Sequence, residues 1–243
     1  MHTTLVIGDA HVAPKQSLRR FNALNRFIKR TEPDEVVVIG DWVDMGSLSR
    51  FDTVGSKALE GTRIRADIDS GKEALAATFA DVRGLPIVFV EGNHEERLER
   101  MYDEHPRLAG LADIRAEFAE AAGRNPLTYI PYRSYYTRPN GLAFTHIPHN
   151  AMKPIDSVNG ARKVLQSAAQ SVVYGHTHQL DFATLTRNGA PQIYGLNVGC
   201  FIEPRYDPAY MKGKIKDWWR GVVTLTSDAH RPWSGTFRTH SLA

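Results

Sequence analysis

The chain has 243 residues, of which 42% are hydrophobic and 23% charged, so it is long enough for one large α/β domain and too short for two. Its formal net charge is +3, and the segment from Glu203 onward, with seven Lys/Arg against four acidic residues, carries that whole excess. This bias toward anionic partners is mild and falls short of a nucleic-acid-binding signature. A single cysteine, Cys200, excludes an internal disulfide framework and a cysteine-based metal cluster.

The composition also argues against a membrane partner, because no apolar run approaches the ~20 residues that span a bilayer. The N-terminus enters its first apolar run without a basic segment, a long hydrophobic stretch or a small-residue cleavage site, so we expect a cytoplasmic protein. No internal repeat, low-complexity segment or linker divides the chain. We therefore predict one domain over residues 1–243, with helical insertions near 56–84 and 95–124 and a basic, aromatic C-terminal extension near 201–243.

In chain order, the first predicted elements are two short buried strands with a helix between them. Leu5–Ile7 and Val36–Ile39 are apolar runs, and the residues between them place apolar side chains at helical spacing. This order predicts a right-handed parallel crossover. A long helical pattern from Ile64 to Val82 then leads to a third strand, Ile87–Val90, and the charged residues 95–124 are predicted to form a solvated helix pair.

The second half of the chain continues the alternation of strands and helices. A strand at Leu142–Thr145 is followed by a helix near residues 158–169 and a strand at Val172–Tyr174. The remaining strand-like segments lie at 192–196, 222–226 and 234–238. Alternating strands and helices of this kind predict an α/β fold.

Four predicted strands stop at a glycine that is followed by side chains of metal-binding type. They end in Gly8-Asp9-Ala10-His11, Gly40-Asp41, Gly92-Asn93-His94 and Gly175-His176-Thr177-His178, and a fifth strand ends in His146 without the glycine. Each signal is weak alone, because a Gly-Asp turn or a lone histidine is usually structural. Parallel strands bring their carboxyl ends to one edge of a sheet, so the coincidence predicts a metal site at that edge.

The donor types narrow the choice of metal. Imidazoles, carboxylates and an amide oxygen, without a thiolate, suit transition-metal ions rather than Ca²⁺ or a structural zinc. We expect two divalent ions, Mn²⁺ in the first place, with Fe, Zn, Co or Ni as alternatives. The candidates are too many for one open catalytic ion and fit two ions that share a carboxylate, which in such sites lie ~3.5–4 Å apart. These candidates are Asp9, His11, Asp41, Asn93, His146, His176 and His178.

The same residues, in the same order, resemble the motifs of the calcineurin-like metallophosphoesterases. The matching stretches are Asp9-x-His11, Gly40-Asp41-x-x-Asp44, Gly92-Asn93-His94-Glu95, His146 and Gly175-His176-x-His178. The resemblance implies an α/β fold of four layers, an α-β-β-α sandwich with two mixed sheets, and a dinuclear site at the strand ends.

The resemblance also implies how the ligands divide between two ions, with Asp41 as the bridge. One ion would be held by Asp41 with Asp9, His11 and His178, and the other by Asp41 with Asn93, His146 and His176. A hydroxide that bridges the ions would attack phosphorus, because two cations lower the pKa of bound water.

Three further residues receive roles from the resemblance. His94 would protonate the leaving oxygen or stabilise the phosphoryl charge. Glu95 would orient His94 as a hydrogen-bond acceptor, and Asp44 would support the site without binding a metal.

Two departures from the family pattern bear on the site. Met45 follows Asp44, where many protein phosphatases of the family carry an arginine, so a phosphate-binding arginine either comes from elsewhere or is missing. Ile147 follows His146, where a glycine is common, and His149 is the alternative ligand for this position.

These residues predict a metal-dependent phosphoesterase that hydrolyses phosphate mono- or diesters, with a phosphorylated small molecule or a nucleotide-like molecule as substrate. One alternative is a nuclease acting on DNA or RNA, because the tail mixes Lys212, Lys214 and Lys216 with Trp218 and Trp219. The alternative of another class is a non-catalytic binding module on the same fold, and the complete set of ligands with His94 argues against it. The sequence predicts no particular oligomeric state.

Overall fold

A computed structural model of the protein describes residues 1–49, 59–150, 153–157, 159–204, 217–228 and 230–242. Part of the insertion expected near 56–84 and the tail lysines at 212, 214 and 216 lie outside the described residues. Two β-sheets face each other in the described part of the chain, and helices cover their outer faces.

Six strands, numbered along the chain, form the first sheet. In spatial order they are β13 (Phe237–His240), β12 (Val222–Ser227), β1 (His2–Ile7), β2 (Glu35–Val38), β3 (Ile87–Val90) and β4 (Leu127–Ile130). Strands β1 to β4 run parallel, and β12 and β13 add an antiparallel edge beside β1. The central strands are apolar on both faces because both faces of the sheet are covered.

Five strands form the second sheet, which is also mixed. In spatial order they are β10 (Leu180–Leu185), β11 (Ile193–Val198), β9 (Val172–Tyr174), β6 (Ala143–Phe144) and β5 (Tyr136–Thr137). Strands β11, β9 and β6 are parallel, whereas β10 and β5 pair antiparallel at the two edges. A separate two-stranded pair joins β7 (His149–Asn150) to β8 (Lys153–Pro154).

Helices lie on both outer faces of the sandwich. The outer face of the first sheet shares one apolar core with α1 (Arg19–Thr31), α2 (Ile64–Thr78), α3 (Glu96–Glu104) and α4 (Ile114–Ala121). The outer face of the second sheet packs on α5 (Ala161–Ser167) through a smaller core. The four-layer α-β-β-α sandwich expected from the sequence is therefore confirmed.

Successive residues of the central strands face different cores, because side chains alternate across a strand. Val36 and Val38 of β2 belong to the core beneath the helices, whereas Val37 belongs to the core between the two sheets. Phe144 and Val173 enter that inter-sheet core from the second sheet. All five side chains are fully buried.

The predicted order of elements agrees with the structure apart from the following differences. The sequence pattern does not predict β4 and β10, because polar residues interrupt their apolar runs. It also does not predict the two-residue strands β5, β7 and β8, and the last strand begins at Phe237 rather than near 234. The helix expected near 158–169 spans only α5. The segment 95–124, expected as a solvated helix pair, contributes Leu98, Ile114 and Phe118 to the main core, because one face of each helix is apolar.

Long apolar helices of the membrane-spanning kind do not occur within the part of the chain that the structure describes.

A buried ion pair links the two sheets at the end where β2 begins. The guanidinium of Arg138, directly after β5, contacts the carboxylate of Glu35, and the two side chains are 8% and 9% exposed. Arg138 also donates to the hydroxyl of Thr4 at 2.6 Å, and the Tyr136 hydroxyl donates to Glu35 at 2.8 Å. This network fixes the start of β2 against the edge of the second sheet.

Removal of one member of the pair leaves a buried charge without its partner. Arg138→Met is therefore expected to lower the free energy of unfolding by about 3–5 kcal/mol, measured by denaturant titration. The control is Arg65→Met, which breaks ion pairs to Asp69 and Glu117 at a side chain that is 51% exposed. Such exposed pairs contribute at most about 1 kcal/mol each. An equal loss in both variants would contradict a special role for the buried pair.

Candidate metal centre

Asp41 lies in a tight turn directly after β2. Gly40 has a φ of +96° and Asp41 a φ of +48°, so both residues are in left-handed backbone conformations. A Cβ at Gly40 would lie 2.7 Å from the backbone nitrogen of Gly92 and 2.8 Å from Nδ1 of His146. Only glycine allows the two turns and the His146 ring to approach so closely.

The carboxylate of Glu95 holds this turn in place. Its two oxygens accept hydrogen bonds from the backbone N–H groups of Asp41 at 3.0 Å, Val43 at 3.0 Å and Gly92 at 2.9 Å. Burial and the neighbouring Asp41 charge raise the pKa of Glu95 to about 7. The role implied by the family resemblance was different, with Glu95 as the acceptor that orients His94. Three buried backbone donors need an acceptor, and they occupy both oxygens of Glu95.

Asp9, His11 and His178 form the first group of potential ligands. One donor atom from each side chain lies within 4.8 Å of the others, and all three residues are buried. Nε2 of His178 is 3.1 Å from Oδ2 of Asp9, and Nε2 of His11 is 4.0 Å from the same oxygen. The group thus joins residues that follow β1 in the first sheet and β9 in the second.

Asp41, His146 and His176 form the second group, again with donor atoms within 4.8 Å of one another. Nε2 of His146 lies 3.3 Å from Oδ2 of Asp41 and 3.0 Å from Oδ1 of Asn93. Nδ1 of His146 is 2.8 Å from the carbonyl oxygen of Ile39, so its N–H donates there and Nε2 is left to bind a metal.

His149, the alternative to His146, lies outside both groups. Its Nδ1 is 2.9 Å from the carbonyl oxygen of Ile147, and its ring packs edge-on against Tyr132. Among these two histidines, the structure therefore brings only His146 into the cluster.

Asp44 contacts two histidines through one oxygen. Its Oδ1 is 3.0 Å from Nδ1 of His11 and 3.4 Å from Nδ1 of His94, while Nε2 of each ring lies within 3.8 Å of Oδ2 of Asp41. Burial acts to raise the pKa of Asp44, but the bonds to His11 and His94 outweigh it and hold that pKa well below its usual range. An ionised Asp44 orients both rings, which is the supporting role expected of it.

The electrostatics of the cluster fit divalent cations. Burial acts to raise the pKa values of Asp9 and Asp41, yet nearby imidazoles, His146 foremost, hold both below the ordinary value. Burial and the His146 charge lower the pKa of His176 to about 4, so its ring is neutral, the form that binds metals. Within the described residues, its buried Nδ1 has no hydrogen-bond partner. A cation bound there would satisfy this nitrogen and neutralise the carboxylates.

The backbone of the cluster is strained. His11, Asp41, Met45, His176 and His178 all have φ values between +44° and +76°. Such conformations cost non-glycine residues on the order of 1–3 kcal/mol each and concentrate at functional sites. The strain indicates that side-chain placement, rather than stability, dictates these turns.

Two side chains beside the cluster were not among the predicted site residues. Arg97 is 8% exposed and places Nη2 3.0 Å from Nε2 of His94. Its position one helical turn after His94 is the only signal in the sequence. Trp218 packs edge-on against the His178 ring at 4.3 Å and is also 8% exposed, which agrees with a packing role for this aromatic residue.

The model of one protein family, the calcineurin-like phosphoesterases, matches residues 2–180. The chain belongs to this family. The motif resemblance seen in the sequence is thereby confirmed, and the two groups of ligands described above lie within the matched residues.

Two known proteins, both from mycobacterial phages, are similar to this member of the family over most of its length. The gene 54 protein of Mycobacterium phage D29 is 29% identical and covers 93% of this chain and 89% of its own length. The gene 54 protein of Mycobacterium phage L5 is 27% identical, with coverages of 92% and 88%. Neither name states an activity.

Two solved structures match this chain over most of its length. Yfce, a phosphoesterase from E. coli, is 15% identical with a TM-score of 0.44, covering 93% of this chain and 89% of its own. Vps29 from Entamoeba histolytica, solved with zinc, is 14% identical with a TM-score of 0.40, at coverages of 98% and 97%. The family assignment rests on the match over residues 2–180.

Metal affinity is expected to rise with pH. Burial alone would lower the pKa of His146, but the charges of Asp41 and Asp9 raise it to about 10. A cation must therefore displace a proton from His146 near neutral pH. Titration calorimetry with Mn²⁺ in buffers of different ionisation enthalpy should detect that proton. His146→Gln should remove this release and His149→Gln should leave it; an affinity that does not change with pH would contradict the expectation.

Asp41 and Asp44 should respond differently to loss of charge. Asp41→Asn is expected to lower the amount of bound metal per chain, measured by elemental analysis after dialysis. The reason is that the Asp41 carboxylate belongs to the second group and also contacts His11 of the first group. Asp44→Asn keeps an oxygen for His11 and His94, so its metal content at saturation should be unchanged and its affinity reduced by at most about 10–100-fold. Full metal content in Asp41→Asn would refute a shared ligand.

Proposed function

We propose that this protein is a metal-dependent phosphoesterase that hydrolyses phosphate mono- or diesters at a two-metal site. One observation carries the proposal: Oδ2 of Asp41 lies 3.6 Å from Nε2 of His11 and 3.3 Å from Nε2 of His146. Those two histidines belong to different groups of ligands. A single carboxylate oxygen between them suits a ligand shared by two ions.

The described side chains divide naturally between two ions. One would be held by Asp9, His11 and His178 with Asp41, and the other by Asn93, His146 and His176 with Asp41. When bound, two divalent ions, preferably Mn²⁺, would supply the Lewis acidity that activates water and neutralises charge on the phosphoryl group. The protein supplies the fixed positions of the donors and excludes water from the buried carboxylates.

His94 is the candidate catalytic residue. Its side chain is 7% exposed, Asp44 contacts Nδ1, and Nε2 lies 3.8 Å from Oδ2 of Asp41. Burial acts to lower the pKa of His94, but Asp41 and Asp44 outweigh it and raise that pKa. General acid catalysis requires a proton on Nε2 that passes to the leaving oxygen, and for this the Arg97 guanidinium, now 3.0 Å from Nε2, has to move away.

The nuclease alternative gains no support from the described part of the tail. Trp218 is buried against His178 and Trp219 is partly buried against the core between the sheets, so both rings have packing roles in place of the exposed position that base stacking requires. The lysines at 212, 214 and 216 lie outside the described residues.

The test is hydrolysis of p-nitrophenyl phosphate and bis(p-nitrophenyl) phosphate by the full chain, with kcat/KM compared across Mn²⁺, Fe²⁺, Zn²⁺, Co²⁺ and Ni²⁺. Turnover that depends on added metal and disappears with a chelator supports the proposal. A metal-loaded protein that cleaves neither ester would favour the non-catalytic binding module.

His94→Gln is expected to keep the metal content and slow turnover by roughly 10²–10⁴-fold, because the general acid is lost while the ligands remain. The loss should be larger for alkyl than for nitrophenyl esters, since poor leaving groups depend most on protonation. His149→Gln, outside both groups of candidate ligands, serves as the control and should retain activity. Equal losses with good and poor leaving groups would contradict the acid role.

A further inference from the structure

The guanidinium of Arg97 lies beside the candidate catalytic histidine. Arg97 belongs to the first turn of α3, and Nη2 is 3.0 Å from Nε2 of His94. Nη1 donates hydrogen bonds to the carbonyl oxygens of Asp44 at 2.9 Å and Met45 at 3.2 Å. These contacts place a positive charge at the same side of the cluster as His94.

A buried guanidinium is usually paired with a carboxylate. Within the described ranges, the hydrogen-bond partners of Arg97 are neutral: two carbonyl oxygens and an imidazole nitrogen. The charge of Asp67 is close enough to interact, but its Oδ2 already accepts the N–H of Ser47 at 3.0 Å and the Ser47 hydroxyl at 2.6 Å. The Arg97 guanidinium is therefore a buried positive charge beside the cluster, and a negatively charged ligand would stabilise it.

The contact between Arg97 and His94 constrains how a substrate must bind. Nε2 of His94 accepts the Nη2–H of Arg97, so in this arrangement it cannot donate a proton to a leaving oxygen. A substrate has to draw the guanidinium away from Nε2. Phosphoryl oxygens suit this exchange, because a guanidinium forms strong, often bidentate, charge-assisted bonds to them.

The turn that contains Met45 does not supply a positive side chain of its own at this position. Met45 follows Asp44, is fully buried and supplies no charge, and its carbonyl oxygen accepts a bond from Arg97. The positive side chain next to this turn thus comes from α3 rather than from the turn itself.

We propose that Arg97 binds the phosphoryl group of the substrate and that its charge selects phosphate monoesters over diesters. The inference rests on the proposed phosphoesterase function. A monoester carries close to two negative charges at neutral pH, since its second pKa is about 6, whereas a diester carries one. The attraction of a fixed cation grows with that charge, and a monoester also offers an additional unesterified oxygen.

The competing explanation is structural: Arg97 would only hold the carbonyl groups of the Asp44–Met45 turn. In that case its loss would harm both classes of ester equally. The ratio of kcat/KM for p-nitrophenyl phosphate to that for bis(p-nitrophenyl) phosphate separates the two explanations, because both substrates release the same leaving group.

The experiment compares wild type, Arg97→Met and Arg97→Lys, each as the full chain loaded with Mn²⁺ and checked for metal content. A charge-assisted hydrogen bond contributes about 1.5–3 kcal/mol, so Arg97→Met should lower kcat/KM for the monoester by roughly 10–100-fold. The loss for the diester should be smaller, and the ratio should fall at least several-fold. Arg97→Lys keeps the charge and should retain most of the ratio, and it remains informative if Arg97→Met fails to fold.

The control is Arg187→Met, because Arg187 is exposed yet also donates to backbone carbonyls, those of Leu165 and Ala168 at 2.9 Å, at the end of α5. Its ratio should equal that of wild type. A ratio unchanged in Arg97→Met, with both activities reduced, would overturn the inference and leave the phosphoesterase proposal standing. Hydrolysis of neither ester by wild type would instead overturn the proposed function.

Binding of inorganic phosphate to the Mn²⁺-loaded protein tests Arg97 without turnover. Calorimetry should show weaker phosphate binding in Arg97→Met than in wild type and Arg187→Met. Equal phosphate affinity in the three proteins would contradict a direct contact between Arg97 and the phosphoryl group.

Discussion

The burial of the Asp41 carboxylate is the constraint on which the rest of the site depends. A charge removed from water must be compensated by its surroundings, and the two oxygens of Asp41 are compensated differently. Oδ1 accepts the backbone N–H of His94 at 2.9 Å, and Oδ2 faces the imidazoles of His11, His94 and His146. One oxygen fixes the turn and the other faces the histidines. The left-handed turn, the glycine before it and the carboxylate of Glu95 all serve to hold this one side chain.

The site exists only because two sheets end at the same place. Asp9 and Asp41 follow strands of the first sheet, whereas His146 and His176 follow strands of the second. A bridge between Asp9 and Cys200 ties the two sets together, and Phe201 donates its N–H to the Asp9 carbonyl at 2.7 Å. Cys200 itself is not a ligand candidate, since burial raises the pKa of its thiol to about 12 and keeps it protonated. The cluster therefore also connects the two sheets to each other.

The sequence predicted which side chains lie at the site better than it predicted the contacts that hold them in place. A strand that stops at Gly-Asp or Gly-His is a local feature, so the positions of Asp41 and His176 could be inferred without knowing the fold. That the strands divide between two sheets could not be inferred from spacing, because single strands do not reveal their neighbours. The role of Glu95 and the contact of Arg97 depend on backbone groups more than 40 residues away in the chain, such as Val43 and Met45. No local pattern encodes contacts of that kind.

The core between the sheets has a consequence for the evolution of this protein. Val37, Phe144 and Val173 set the distance between the layers, and the histidines of one layer meet the carboxylates of the other only at that distance. Sheets packed face to face are about 10 Å apart, and their separation varies with side-chain volume. An apolar substitution in this core would therefore change the distances between the candidate ligands of the two sheets. The geometry of the candidate metal centre thus depends on the hydrophobic interior as well as on the residues that would bind the ions.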